Sequence, residues 1–260
     1  MALQSSGAIS LNDIHIEAGG STGTNASLND SDIRALIGKS SGAQSSFNEF
    51  YGASSDPEFI GAQTRTATSN FGDFSFSIGL MSPSVQVGDL VVVNCTSQYI
   101  ITNTPTVSGM TMTNIGTSSG NPGNFLAYGF RQSGDSNYIS FSGSPTGYAI
   151  CAVMAVFRNV TTLKNYRAQF RSTGMPNPAT LSGVSGTKMF VLSGHLDDDA
   201  VTMTAPSGYT MAGAQYFQSG IYRSSAGIAY KFSTNNANEN VGAFGGGGND
   251  QNVAYLMRFG

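Results

Sequence analysis

A chain of 260 residues with 40% hydrophobic and only 10% charged side chains, 33 glycines and a net charge of −3 has apolar mass for a real core and too little charge for a helix-rich enzyme. That balance excludes an electrostatic nucleic-acid footprint, since no basic patch is large enough to displace counterions from phosphates. It also excludes membrane insertion by a helix: the longest apolar run, Ile150 to Phe157, is about eight residues where roughly twenty would span a bilayer, and the first residues lack a basic-then-apolar leader pattern.

The opening fifty residues repeat one phrase three times: Ser10 to Asp13, Ser27 to Asp30 and Ser46 to Glu49 each read Ser, Leu or Phe, Asn, then a carboxylate. Serine followed three residues later by a carboxylate is a capping box, so each repeat is expected to open a short helix. Gly19, Gly38 and Gly52 supply the stops, because glycine takes positive φ freely. Helices of one to three turns do not persist alone in water. Residues 1–55 are therefore expected either to cap the rest of the chain or, the preferred expectation, to order against partner subunits through Leu11, Ile14, Leu28, Ile33, Leu36, Phe47, Phe50 and Tyr51.

The stretch from Ser6 to Ser55, with its "ISLND" and "SFNEFYG" phrases, resembles a module at the N-termini of tail and other structural proteins of tailed bacteriophages, cyanophages among them. The resemblance covers about a fifth of the chain and implies a virion protein, attached through this segment to other phage structural proteins, without specifying which one.

Residues 56–260 change texture. Phe74, Phe76, Ile78 and Leu80 alternate with small polar residues, and further apolar runs occupy 90–95, 125–130, 138–141, 150–157, 189–192, 228–232 and 253–259, separated by Gly, Pro, Asn and Ser. The expected fold is mainly β, a sandwich or jelly roll behind a short-helix N-terminal segment. The body also reads as two pseudo-repeats, about 86–160 and 184–260. Gly88-Asp89-Leu90 aligns with Gly186-Thr187-Lys188, Ser108-Gly109 with Ser207-Gly208, Ala127-Tyr128 with Ala229-Tyr230, and Met154 to Arg158 with Tyr255 to Phe259. Two separate sandwiches would each have a thin core and exposed edges, so one sandwich sharing a core is expected. From Gln86 to Gly260 this motif set is similar to a β-sandwich domain of phage tail and fibre proteins. Met110 and Gly129 depart from its pattern, and no binding residue is carried over.

Several residues invite chemistry. Cys95 and Cys151 lie in apolar runs and read as buried thiols, a disulfide being open to them if their strands are neighbours. His195 to Asp199 offers an imidazole and three carboxylates, but without the spacing of a calcium loop it reads as a polar hairpin tip. The glycine-rich stretch 242–252, with Phe244 and Asn249, reads as a long flexible hairpin or a recognition loop, and Tyr99, Tyr216 and Tyr222 as core-edge packing or sugar-stacking rings. Lys164, Arg167 and Arg171 read as a solvated connector between the repeats. No nucleophile elbow, P-loop or cysteine–histidine pair is present, so no enzyme, metal or cofactor is expected. The combined expectation is a non-enzymatic, homo-oligomeric virion component, foremost a tail fibre or tip protein that binds a host-surface glycan. The alternatives are a decoration or connector protein and a free carbohydrate-binding module.

Overall fold

Continuous apolar runs such as Leu90 to Val93 and Ile150 to Phe157 require cover on both faces of a sheet, and the architecture supplies it. The computed structural model describes residues 2–40, 42–67, 74–79, 85–98, 106–118, 123–143 and 149–260. A first antiparallel sheet has the order β1 (Glu58–Ala67), β8 (Ile150–Arg158), β3 (Leu90–Ser97), β6 (Gly123–Phe130), β5 (Thr113–Ser118). A second has the order β11 (Thr210–Ser219), β12 (Tyr222–Phe232), β10 (Met189–Asp197), β13 (Asn252–Phe259), β9 (Leu163–Arg171). A third, three-stranded sheet has the order β2 (Phe74–Gly79), β7 (Tyr138–Gly143), β4 (Thr106–Ser108).

The two large sheets are copies. Read from β9, the second sheet runs β9-β13-β10-β12-β11, matching β1-β8-β3-β6-β5 strand for strand. Register agrees as well: Leu90 stands opposite Phe130 and Phe157, Met189 opposite Phe232 and Phe259. Even the irregularities coincide, with shifts at Phe59/Gly61 and at the Leu163 end of β9, and again at Asn114/Gly116 and Met211/Gly213. Such bulges twist edge strands away from further pairing. Each copy thus gains the strand before it, β1 or β9. The basic connector expected around Lys164 is a strand, overlooked because its side chains are mostly exposed.

The register also corrects one alignment. Phe157 corresponds to Phe259, not to Arg258, a slip of one residue that in a strand would exchange the two faces.

The shared core lies between the large sheets, where Leu90, Val92, Leu126, Val153 and Phe157 meet Met189, Val191, Ile228, Met257 and Phe259. Its aromatic contacts come in matched pairs: Tyr128 meets Phe259 edge-on at 5.7 Å between ring centroids, and the equivalent Tyr230 meets Phe157 at 5.3 Å. The expected single sandwich is therefore present, with two further layers. Ile139 and Phe141 of the third sheet cover Val91, Val93 and Phe125 on the outer face of the first. The outer face of the second is covered by loops through Leu181, Met203, Val241 and Phe244.

The N-terminal segment has its own small core. Helix α1 (Leu11–Glu17) carries the full capping box of Ser10 and Asp13, and a 3-10 turn, Phe47–Phe50, that of Ser46 and Glu49. The middle repeat departs from expectation. Asp30 accepts from the Ser27 backbone N–H at 2.8 Å to close a turn, and helix α2 (Ser31–Ala35) starts one residue later with Asp30 as its N-cap. Gly19, Gly38 and Gly52 all take positive φ, at 97°, 63° and 72°. Ile14, Ile33 and Phe50, one from each repeat, are fully buried against one another with Leu3.

Candidate functional site

The strand pairings give the molecule two distinct ends. At one, the connector after the N-terminal segment is tied to the body: Asn159 Nδ2 donates to the carbonyls of Ser54 and Asp56 at 2.7 and 2.8 Å, and Lys188 Nζ donates to that of Ser55 at 2.9 Å. Glu17 of α1 accepts from the Ser55 N–H at 2.8 Å, locking helix to connector. Beside this joint Arg158 grips the buried carboxylate of Asp89 through Nε and Nη2, both at 2.9 Å. Here a cleft of about 530 Å³ separates the N-terminal segment from the body, with Leu36, Ile37, Glu49 and Tyr51 on one wall and Glu58, Arg158 and Asn159 on the other.

At the opposite end lie Ala67, Ser97, Ser118, Gly123, Gly143 and Ala149, the described ends of the first and third sheets, together with Asp197, the β11–β12 hairpin and Asn252 of the second. Gln98 accepts from the Arg223 N–H at 2.8 Å and so places the two sheet ends side by side.

Of the residues expected to contact partners, Ile14, Ile33 and Phe50 are internal and unavailable, because the three repeats supply one another's missing apolar partner. Leu11, Leu28 and Leu36 are half-buried around them. Tyr51 is half-buried, its hydroxyl donating to the Gly7 carbonyl at 2.5 Å. Phe47 remains exposed, and Ile16, on the same first helix as Leu11 and Ile14, is exposed too. The segment thus has apolar support within its own chain, a role that the preferred expectation gave to partner subunits.

The far-end residues divide in the same way. Tyr216 is 46% exposed on β11, Tyr222 is half-buried beside the 77% exposed Ile221 of the hairpin, and Asn249 is exposed, its N–H donating to Asp199 at 2.7 Å. Tyr99 lies outside the described residues. Phe244 is a correction: it is 2% exposed and anchors the glycine-rich loop in the outer core of the second sheet. Nor is that loop a free hairpin. Gly245 bridges to Thr204, and a Cβ on Gly248 would stand 2.4 Å from Leu196, so the glycines allow the backbone to lie directly on the sheet.

The His195 to Asp199 stretch is likewise no hairpin tip. His195 is fully buried between the large sheets, its ring nitrogens bonded to Thr96 Oγ1 at 2.9 Å and Ser193 Oγ at 3.0 Å. Burial holds its pKa down to about 3, so the ring is neutral. Asp197, at the end of β10, is pushed up to about 7 by burial and by the nearby carboxylates of Asp250 and Asp198. Among the described residues no group of three or more His, Cys, Asp or Glu side chains is placed to hold a metal ion.

Sequence reasoning missed Asn94. Its Nδ2 donates to the carbonyls of Gly194 and Gly227, both at 3.0 Å, and so pins the first sheet to the second. A lone asparagine inside the run Leu-Val-Val-Val-Asn-Cys was the available signal, since a polar group there needs a buried partner.

Among the described residues no helix is long and apolar enough to cross a membrane. Comparisons with protein-family models, with curated proteins and with solved structures give no match to this chain.

Proposed function

We propose that the protein is a non-enzymatic structural component of a tailed-phage particle, a tail fibre or tip protein held through its N-terminal end and presenting its far end to a host-surface glycan. The polarity of the molecule carries this reading. Its attachment-like segment is tied to one end of the strands, and the turns bearing Tyr222, Ile221 and Asn249 gather at the other, which suits an anchored binding element. The brevity of the helices no longer supports it, because they pack on one another. What does is the resemblance of residues 6–55 to phage virion modules, together with the two-ended form. Repeated in an array, such an element turns weak contacts into firm attachment, since later contacts become intramolecular.

Immunogold labelling of purified virions with antibody to the β-sandwich tests the proposal. Label at the tail tip or fibres is expected. Label on capsid or neck would replace it with the decoration or connector role, and virions without the protein would end it. Binding of the purified chain to host cells, competed by soluble surface polysaccharide, tests the receptor half separately.

A further inference from the structure

We propose that the chain assembles head to tail, with the outer edge of β9 in one copy seated in the cleft between N-terminal segment and body of the next. The sandwich is closed on one flank, where β1 packs on β11. On the matching flank, β5 and β9 make no comparable contact among the described residues. Among the described residues β9 pairs with no strand but β13 and ends its sheet, with the Asn165 side chain donating to the Ser182 carbonyl at 3.1 Å. Tyr166 and Phe170, aligned with core residues Met257 and Val253, are 44% and 55% exposed there.

A nine-residue edge with two exposed aromatic rings is a template for association. Its charge decides the partner. Lys164, Arg167 and Arg171 give it three positive charges and no carboxylate, so pairing with a second β9 would set like charges together. The complementary surface lies on the same chain. Residues 1–58 hold seven carboxylates against two Lys and Arg side chains. The cleft is lined by Glu49, Asp56 and Glu58 together with Leu36, Ile37 and Pro57. Lys39 pairs with Glu49, and the guanidinium of Arg158 is held by Asp89 and stands 3.9 Å from Glu58, so the acidity comes from the segment's excess of carboxylates over cations. Two walls facing one another suit a sheet edge, which presents both of its faces. The contact joins unlike surfaces, so it propagates into a ring or a filament. Assembly of this kind rests on the chain's own surfaces and is independent of the virion reading.

Sedimentation velocity of the full chain tests it. Concentration-dependent association is expected at low salt and weakening at about 0.5 M salt. Arg167→Glu with Arg171→Glu, or Asp56→Lys with Glu58→Lys, is each expected to weaken self-association by about tenfold or more. Mixing the two variants pairs each reversed surface with its complement and each unaltered surface with the other variant's unaltered one, so an alternating assembly larger than either variant alone is expected, which also shows that both are folded. A wild-type chain that stays monomeric at low salt, a β9 variant that associates normally, or a mixture that stays monomeric would each overturn the proposal.

Discussion

Thr96 and His195 are equivalent residues of the two copies, and they touch: Thr96 Oγ1 and His195 Nδ1 lie 2.9 Å apart at the centre of the sandwich. The pseudo-two-fold axis therefore runs between β3 and β10, along the strands. At this point an imidazole stands where the other copy has a hydroxyl, and the two satisfy one another in a fully buried site. Their burial has a consequence for acid stability.

His195 is neutral when folded, with a pKa near 3 against an ordinary 6.5. Below pH 6.5 the unfolded chain takes up a proton that the fold refuses, and stability from this group falls as the pH is lowered to about 3. Asp197, raised to about 7 from 3.8, acts oppositely: its fold binds the extra proton, so its contribution is complete below pH 3.8 and is lost as the pH rises through 7. Between pH 6.5 and 4 the two largely cancel. Asp197→Asn removes one of them, and urea denaturation of that variant is expected to show stability falling by about 1.4 kcal/mol for each unit the pH is lowered in this window. A variant as flat as wild type would refute the assignment.

Residues 9–52 are expected to be protected from hydrogen exchange in a dilute monomer, because Ile14, Ile33 and Phe50 share a core. Ile33→Ala should abolish that protection while sparing the body, at a cost of about 2–5 kcal/mol to the segment. Ser10→Ala, which removes a cap only, should cost about 1 kcal/mol. Fast exchange throughout the segment in the wild-type monomer would mean that the small core does not hold without a partner.

Gly194 lies beneath the Phe244 ring, where a Cβ would stand 2.7 Å from the ring carbons. Gly194→Ala is expected to destabilise by about 1–3 kcal/mol through overpacking. Phe244→Leu should relieve part of that cost in the double variant, a coupling read from a double-mutant cycle in urea. Strict additivity would show that the ring does not press on this position.

Cys95 and Cys151 sit on neighbouring strands, yet Cys95 faces the third sheet and Cys151 the second. Burial raises both thiols, Cys151 to about 12. A chromogenic disulfide reagent is expected to find no reactive thiol in the native chain and two in denaturant. Loss of both thiols in the denatured, unreduced protein would reveal a bond that this pleat forbids.

The sequence by itself determined what neighbouring residues decide: two of three capping boxes opening helical turns, all three glycine stops, the inner strands, and the duplication. These features depend on a few adjacent backbone groups or on the side-chain period of a strand, both legible along the chain. Only the tertiary structure decided which faces are covered, that the edge strands β1, β5, β9 and β11 exist, and that Ile14, Ile33 and Phe50 meet one another. Edge strands are half-wet and break their apolar residues with Gly, Thr, Gln or, in β9, basic side chains, so their apolar signal is weak. Cover is a long-range matter as well: the same buried isoleucine satisfies a neighbour in its own chain or in another, and its letter alone does not distinguish the two.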